Sequence, residues 1–358
     1  MRTLSLLLVA ASVLVAEVAQ ADFTFGPPTH LGGAVNSPEN DGTPSISADG
    51  LSLYFNSQRS GGYGHFDVWV ATRDTIDGAW GEPMNLGPDI NTSTMDGCEH
   101  LSADGLTLHF TSHDRADGHG NWDIYATTRA TVSDPWGPPV NLGPGINTSA
   151  QDGDACLSSD GLTLFFDSAR AGGSGANDLY MAVRATTAAP WQDPVNLGAT
   201  VNGSASDHCP SISADGRMLF FMSNREGGHG AFDIWLTTRE TRDDDWCTPR
   251  NLGPGVNGPD FDGTPNISQD GSTLYFMSGR PGGEGKFDLW KASVVPIVDF
   301  DADGETSLVD LVMLIDAWGT DDALCDIGPM PWGDGVVDIE DLKVFMAHWE
   351  KENMQNAQ

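Results

Sequence analysis

Apolar and polar residues alternate along short segments of the chain from Phe23 to about Val295, with turn-forming residues between the segments. Alternation with a period of two predicts half-buried β-strands. The clearest pair of segments flanks Asp49-Gly50, and an Asp-Gly turn between two such segments is typical of a β-hairpin because the turn requires positive φ. The same hairpin signal recurs at four later positions, Asp104-Gly105, Asp160-Gly161, Asp215-Gly216 and Asp270-Gly271.

The hairpins belong to a repeat with a nearly fixed period. The aspartate that precedes each core strand recurs at steps of 55, 56, 55 and 55 residues, at Asp41, Asp96, Asp152, Asp207 and Asp262. A period of this length is the signature of a repeat architecture. Each core needs a closing segment that ends in Pro-x-Asn-Leu-Gly, but only four copies follow the five cores, and a related segment, residues 25–32, lies at the amino end.

This split repeat predicts closure into a ring, because the first strand would then complete the last blade and leave no free edge. We therefore predict an all-β, five-bladed β-propeller over residues 22–295, closed by the N-terminal strand. The repeated text Ser-x-x-Asp-Gly-x-x-Leu-Tyr-Phe-x-Ser-x-Arg resembles the TolB-type, WD-repeat-like β-propeller repeat of bacterial envelope and secreted proteins. The resemblance implies a binding or scaffolding propeller more often than an enzyme, and it implies no particular ligand.

Beyond Val295 the pattern changes to acidic loops followed by helical spacing, which predicts a small α-helical, EF-hand-like domain over residues 296–358. The loop 299–310 has carboxylates at positions one, three, five and twelve and Gly304 at position six, as an EF-type calcium loop requires. A helix is predicted from Leu311 to Trp318. A second, degenerate loop precedes a helix predicted from about Leu342 to Trp349, and Asp326 is expected to supply its early ligand through an enlarged loop.

The two loop-and-helix units resemble a type I dockerin in its planctomycete-type variant. The resemblance implies calcium as the cofactor and docking to a cohesin-like protein or another envelope component, often within polysaccharide-degrading assemblies. Loop positions ten and eleven depart from the pattern of cohesin-binding dockerins, because they hold Leu308-Val309 and Ile339-Glu340 instead of small hydroxyl residues. The predicted calcium-loop residues are Asp299, Asp301, Asp303, Glu305, Ser307, Asp310, Asp326, Asp334, Asp338 and Asp341.

Composition narrows the partners and the location. With 51 acidic and 17 basic residues the net charge is −34, which argues against nucleic acid and anionic membrane surfaces, because both need clustered Lys and Arg. Residues 1–21 combine Arg2, an apolar run and the small residues of Ala19-Gln20-Ala21, a pattern typical of a signal peptide. We expect export to the extracellular or periplasmic space without membrane insertion. Five cysteines leave at least one thiol unpaired in a monomer.

Three columns of charged residues recur once per blade. A function performed once per molecule does not need five copies, and buried charge is tolerated only when it is paired. We therefore interpret the columns as structural and expect them to make blade-to-blade contacts. Two columns are basic, Arg59, Arg115, Arg170, Arg225 and Arg280, and Arg73, Arg129, Arg184, Arg239 and Lys291, and one is acidic, Asp67, Asp123, Asp178, Asp233 and Asp288.

Blades two, three and four depart from the repeat at the start of the first strand, which lines the central channel of a propeller. Three cysteines and two histidines would suit a transition metal such as zinc, whereas Glu99 and Asp154 would suit the acid/base pair of a glycosidase. A narrow channel would instead be filled by these side chains, with free Cys acting as a small apolar group. The seven residues expected at one channel mouth are Cys98, Glu99, His100, Asp154, Cys156, His208 and Cys209.

Two functions remain open on this evidence. The even distribution of polar residues over five blades favours a secreted, non-catalytic binding or scaffold protein, with a glycan or protein ligand on the propeller and a calcium-dependent tail for docking. The alternative is a secreted carbohydrate-active enzyme, a glycoside hydrolase or lyase, with its site in the channel. Only the irregular blades two to four favour this alternative.

Overall fold

The computed structural model of the chain describes residues 23–301, 305–322, 324–328, 333 and 336–356. The predicted signal peptide, residues 1–21, lies outside the described residues. Contacts between Cα atoms group Thr24–Val295 into one compact unit, and the described residues from Pro296 onward belong to a second unit. No helix among the described residues is long and apolar enough to cross a membrane.

The first unit is a five-bladed β-propeller with antiparallel blades. The chain begins with β1 (Phe23–Phe25) and β2 (Thr29–His30). Blade 1 contains β3 (Asp41–Ile46), β4 (Ser52–Ser57), β5 (Asp67–Thr72) and β6 (Met84–Asn85), and blade 2 contains β7 (Asp96–Leu101), β8 (Thr107–His113), β9 (Trp122–Thr128) and β10 (Val140–Asn141). Blade 3 contains β11 (Asp152–Leu157), β12 (Thr163–Ser168), β13 (Asp178–Val183) and β14 (Val195–Asn196), and the one-turn helix α1 (Gly198–Val201) follows it.

Blade 4 and blade 5 complete the ring. Blade 4 contains β15 (Asp207–Ile212), β16 (Met218–Ser223), β17 (Asp233–Thr238) and β18 (Arg250–Asn251), and blade 5 contains β19 (Asp262–Ile267), β20 (Thr273–Ser278) and β21 (Asp288–Pro296). The outer strands of blade 5 come from the amino end, because β1 and β2 both pair with β21. Thr29 lies opposite Lys291 and His30 lies opposite Trp290. The predicted five-bladed propeller and its closure by the N-terminal strand are confirmed.

The blades pack through the middle strands, where the repeat places an apolar residue on the buried face. One phenylalanine of the second strand of each blade is completely buried, at Phe55, Phe110, Phe166, Phe221 and Phe276. Burying a side chain of this size stabilises the fold by roughly 1.5–3 kcal/mol. The Arg of the same blade lies over this ring, for example with Arg59 Cζ 4.9 Å from the Phe55 centroid.

The charged columns make contacts within one blade, and the expected blade-to-blade contact is present as well, since the Arg73 side chain of blade 1 acts on the Tyr275 hydroxyl of blade 5. Arg59 Nη2 lies 2.7 Å from Asp41 Oδ1 of the same blade and also contacts the carbonyl of Val35. The second basic column is similar, because Arg73 stacks over Trp80 at 4.4 Å and its Nε donates to Gly50 O of its own hairpin turn at 2.8 Å. These residues therefore make structural contacts within blades and between them, and other side chains line the channel pocket.

The second unit contains two helices, α2 (Leu308–Asp316) and α3 (Ile339–Asn356). Helix α2 begins three residues before the predicted start, because the Ser307 side chain accepts from Val309 N and Asp310 completes a capping box. Helix α3 continues beyond its predicted end at Trp349. A small apolar core holds this unit together, formed by Val298, Phe300, Leu314, Cys325, Ile327, Val337 and Phe345.

Candidate active site at the channel mouth

The first strands of the five blades contact one another in a closed ring and line the channel. Each of these strands carries a β-bulge, where the pairing register shifts, as between Gly42 and Ser45 in blade 1. The bulged residue adopts a left-handed conformation, with φ between 45° and 53° although none of the five is glycine. Such a conformation is unfavourable for non-glycine residues, most of all for threonine. These five residues form the mouth ring, consisting of Thr43, Cys98, Asp154, Cys209 and Thr264.

Two residues further along each first strand, a second ring joins neighbouring blades. Its side chains each accept a hydrogen bond from a backbone N–H of the next blade: Ser45 from Leu101, His100 from Leu157, Cys156 from Ile212, Ser211 from Ile267 and Asn266 from Ile46. The donor–acceptor distances are 3.0 to 3.4 Å. We call these five residues the belt. It closes the propeller with one contact per blade boundary.

Two residues predicted at the mouth, His100 and Cys156, belong to the belt. Since His100 Nδ1 accepts from Leu157 N, its proton is on Nε2, which lies 3.3 Å from Cys156 Sγ. Burial lowers the pKa of His100 to about 4 and raises the pKa of Cys156 to about 12, so both side chains are neutral at physiological pH. Their role in the structure is to join blades 2, 3 and 4.

Between the mouth ring and the belt lies a cavity of about 30 Å³. A volume of this size holds one or two water molecules. The cavity is lined by the mouth ring and by side chains that include Glu99, His100 and Asn266. A ligand larger than water would therefore have to lie across the mouth, where Cys98 and Asp154 are half-buried.

The boundary between blades 3 and 4 differs from the other four. At those four boundaries the second residue of the first strand is glycine, because a side chain from the second strand of the preceding blade fills the adjacent space. A Cβ added at Gly263 would lie 2.7 Å from Met222 Sδ, and one added at Gly42 would lie 2.6 Å from Met277 Sδ. In blade 4 this glycine is replaced by His208, and the opposing side chain is Asp167.

Asp167 is completely buried and is held by two donors. His208 Nδ1 lies 2.9 Å from Asp167 Oδ2, and Asn177 Nδ2 donates to the same oxygen at 2.7 Å. The other oxygen, Oδ1, has no hydrogen-bond partner among the described residues. Oxygen or nitrogen atoms of Asp154, Asp167 and His208 lie within 4.8 Å of one another. A proton on Asp154 would supply the hydrogen bond that Asp167 Oδ1 otherwise lacks.

The protonation states in this cluster differ. Burial and the charge of Asp167 raise the pKa of Asp154 to about 7. Burial alone would raise the pKa of Asp167 too, but the charge and hydrogen bond of His208 outweigh it and the pKa is lowered. For His208, burial is outweighed by the negative charge of Asp167, and the pKa rises to about 9. Near pH 7 the cluster therefore consists of an imidazolium, a carboxylate and a carboxyl group that is partly protonated.

Glu99 provides a third carboxyl group from blade 2. Thr43 Oγ1 donates to Glu99 Oε1 at 3.2 Å, while Oε2 has no partner among the described residues. Only 4% of this residue is exposed, and burial, assisted by the charge of Asp154, holds its pKa well above the usual value. Cys209 Sγ donates to Asp154 Oδ2 at 3.0 Å, and burial raises the pKa of this thiol.

The structure thus places five of the seven predicted residues around the cavity, Cys98, Glu99, His100, Asp154 and Cys209, and brings His208 next to Asp154. Sequence reasoning missed Asp167 and Asn177. Asp167 is the one charged residue in a column otherwise formed by Asn56, Thr111, Met222 and Met277, and Asn177 replaces an aromatic residue found in the other four blades. An alignment of the five repeats would have shown that both residues differ from those at the equivalent positions.

This arrangement does not favour the predicted zinc site. His208 is an imidazolium whose Nδ1 faces Asp167 and whose Nε2 lies 3.2 Å from Ser206 Oγ. With both N–H groups donating, the ring presents no lone pair to a metal ion. His100 and Cys156 are bonded within the belt.

In the second unit the predicted calcium-loop residues are arranged around two aspartates. Asp310 accepts from the backbone N–H groups of Phe300, Asp301 and Ser307, and Asp341 accepts equivalently from Ile327, Gly328 and Asp338. By this correspondence Asp326 occupies the place of Asp299. Carboxylate oxygens of Asp299, Asp301 and Asp310 lie within 4.8 Å of one another. Glu305 is described, whereas Asp303 and Asp334 lie outside the described residues.

Solved structures share the propeller fold. An endo-arabinase from Bacteroides thetaiotaomicron VPI-5482 aligns with a TM-score of 0.52 at 13% identity, over 77% of this chain and 97% of that chain. A structure titled glycoside hydrolase aligns with a TM-score of 0.50 at 9% identity, over 76% and 92% of the two chains. TolB from Acinetobacter baumannii aligns with a TM-score of 0.46 at 15% identity over 72% of this chain, which spans 55% of the TolB chain. No family model and no curated protein matches the chain.

These neighbours correct one prediction. The sequence analysis favoured a non-catalytic binding or scaffold protein and therefore not an enzyme. Two neighbours that share the fold, the endo-arabinase and the structure titled glycoside hydrolase, carry the names of enzymes, and this finding contradicts that prediction. The evenly distributed polar residues make structural contacts within blades and between them, and they carry no information about the channel mouth.

Proposed function

We propose that the protein is a carbohydrate-active enzyme that hydrolyses a glycosidic bond at the channel mouth. The observation that carries this proposal is the convergence of three carboxyl groups, Glu99, Asp154 and Asp167, at one side of the mouth. Hydrolysis of a glycosidic bond uses one carboxyl group to protonate the leaving oxygen and a second to attack the sugar or activate water. Environments that push the pKa values of neighbouring carboxyl groups apart identify these roles.

Asp154 is the general acid in this proposal. It is half-buried and so accessible from the mouth, and its pKa of about 7 keeps much of it protonated in neutral solution. Asp167 is buried behind it and remains ionised. Glu99, on the neighbouring blade, is the second catalytic carboxyl group: it transfers its proton to solvent water, and the resulting carboxylate attacks the sugar or activates a water molecule.

The dimensions and charge of the molecule limit the substrate. A sugar ring cannot enter a cavity of about 30 Å³, so the scissile bond would lie across the mouth ring, above Asp154. The net charge of −34 disfavours polyanionic glycans. We therefore propose a neutral polysaccharide or oligosaccharide as the substrate.

The test is release of reducing ends by the full-length protein from a panel of neutral plant and algal polysaccharides. Asp154→Asn and Glu99→Gln should each lower kcat by about 10²–10⁴-fold, because each removes an acid or base from the transition state. Asp243→Asn is the matched control, since it removes an exposed carboxyl group from the connection between β17 and β18, outside the residues that line the mouth, and should retain activity. Full activity in Asp154→Asn, or no release from any glycan of the panel, would contradict the proposal.

The tail supports a second, independent proposal: an exported, dockerin-like, EF-hand-type domain of the planctomycete variant that binds calcium and docks to a cohesin-like or envelope partner. The clustered oxygens of Asp299, Asp301 and Asp310 support it, because several carboxylate oxygens are the donor set that calcium prefers. Asp326, Asp338 and Asp341 would belong to the second loop.

Calcium binding can be measured by calorimetry on the full-length protein. Asp310→Ala should remove one calcium site, whereas Asp316→Ala, at the end of α2, should leave the stoichiometry unchanged. Equal calcium uptake in wild type and Asp310→Ala would overturn the assignment.

A further inference from the structure

We propose that His208 is the positioning residue of the acid pair: it fixes one oxygen of Asp167 so that the other oxygen faces Asp154 and the proton stays on Asp154. The inference rests on the proposed function, because it assigns a role in preparing the general acid. His208 itself touches no reacting atom.

The repeat is broken at this boundary in a concerted way. In the other blades this position is glycine, and an added Cβ would lie 2.4 to 3.3 Å from the facing side chain, which would have to shift. A side chain as large as His208 therefore needs space that the facing residue must leave. The matched change is Asp167, and a third departure, Asn177, joins the pair where the other blades have Phe or Trp. Three departures at one of five equivalent boundaries meet on one carboxylate.

The donors on the Asp167 carboxylate are distributed unevenly. His208 and Asn177 both donate to Oδ2 of Asp167, at 2.9 and 2.7 Å. Oδ1 is left without a partner among the described residues although Asp167 is completely buried. A buried carboxylate oxygen without a donor is costly, and Asp154 is the neighbouring group that can bring a proton to it.

His208 is itself held in place. Its Nε2 lies 3.2 Å from Ser206 Oγ, and its ring lies 6.1 Å from the ring of Phe232. The titratable groups around Asp154 are Asp167, His208, Glu99 and the thiols of Cys98 and Cys209, and Asp207 also acts on His208. His208 is the cation among these groups. Its removal should therefore raise the pKa of both Asp154 and Asp167.

The experiment compares His208→Gln with wild type in the full-length protein. Glutamine keeps a donor towards Asp167 but loses the charge, so both carboxyl groups should bind protons more tightly. We expect the alkaline limb of the kcat profile to move up by about one pH unit, with kcat reduced about tenfold because part of the proton population moves to Asp167, and with KM little changed. Asn177→Leu, which removes only the neutral donor, should shift the limb upward by less.

A second measurement does not depend on activity. Carbon-13 NMR of labelled aspartate carboxyl groups should show one resonance that titrates near pH 7, that is absent in Asp154→Asn and that moves upward in His208→Gln. An unmoved resonance with an inactive Asp154→Asn would overturn the positioning role and leave the proposed function intact. A fully active Asp154→Asn would overturn the proposed function. Stoichiometric zinc binding that removes the titration would show that the cluster holds a metal instead.

Discussion

The belt and the mouth ring are both built from the first strands, two residues apart, yet they respond differently to changes in sequence. In the belt, four residue types, Ser, His, Cys and Asn, perform one task at five boundaries, because each offers an acceptor to the backbone of the next blade. At the mouth, a single boundary carries a cluster that the others lack. A residue that departs from the repeat therefore indicates function only when its contacts differ from those of the equivalent residues. His100 and Cys156 differ in residue type but accept the same backbone hydrogen bond as the rest of the belt. His208, Asp167 and Asn177 differ in residue type and form contacts that the repeat does not otherwise make.

The strongest test of this difference removes one side of the mouth cluster. Asp167→Ala would leave His208 buried without its partner, and we expect a loss of about 3–5 kcal/mol in the free energy of unfolding, measured by urea denaturation. The double variant Asp167→Thr, His208→Gly reproduces the pair Thr111 and Gly153 of the neighbouring boundary. It should regain most of the stability but hydrolyse glycans more slowly than wild type, because Asp154 loses the carboxylate that helps to raise its pKa. Equal destabilisation in both variants would show that Asp167 and His208 are not coupled energetically.

The contribution of the belt to stability should depend on the hydrogen-bond acceptor at each boundary and not on the residue type that supplies it. Cys156→Ala leaves the N–H groups of Ile212 and His100 without a partner and should lower the free energy of unfolding by about 1–3 kcal/mol. Cys156→Ser restores an oxygen acceptor and is the matched control, with a smaller loss. Neither variant should change the pH profile of glycan hydrolysis, and a changed profile would mean that belt and mouth act as one unit.

A further effect is on the pH dependence of stability. Asp154 has a folded pKa of about 7, above its ordinary value of 3.8, so the stability it contributes is present at low pH and is lost as pH rises from about 4 to 7. His208, raised from 6.5 to about 9, loses its contribution as pH rises through that window. Thermal midpoints should therefore fall between pH 6.5 and 9 in wild type and Cys156→Ser, and fall less in His208→Gln. An identical slope in all three would contradict the assignment of the charge to His208.

Much of the fold was predictable from sequence because the repeat reports it five times. The displaced closing segment led to the correct closure, since β1 and β2 pair with β21. The site was only partly predictable. The first-strand residues Glu99, Asp154 and His208 stood out, but Asp167 lies on the second strand, and only the structure shows that its column faces the glycine column of the next blade. The role of His100 and Cys156 was hidden because a backbone acceptor can be supplied by unrelated residue types.

The five bulges have a consequence for how such a molecule can change. Every blade already holds one non-glycine residue in the same left-handed conformation at the mouth, from Thr43 to Thr264. The backbone is thus strained at five equivalent positions. Only one of the five residues, Asp154, has a carboxyl group. The propeller therefore offers five equivalent backbone positions at the mouth. A single substitution at one of them can place a new carboxyl, thiol or hydroxyl group there without a change in the backbone conformation.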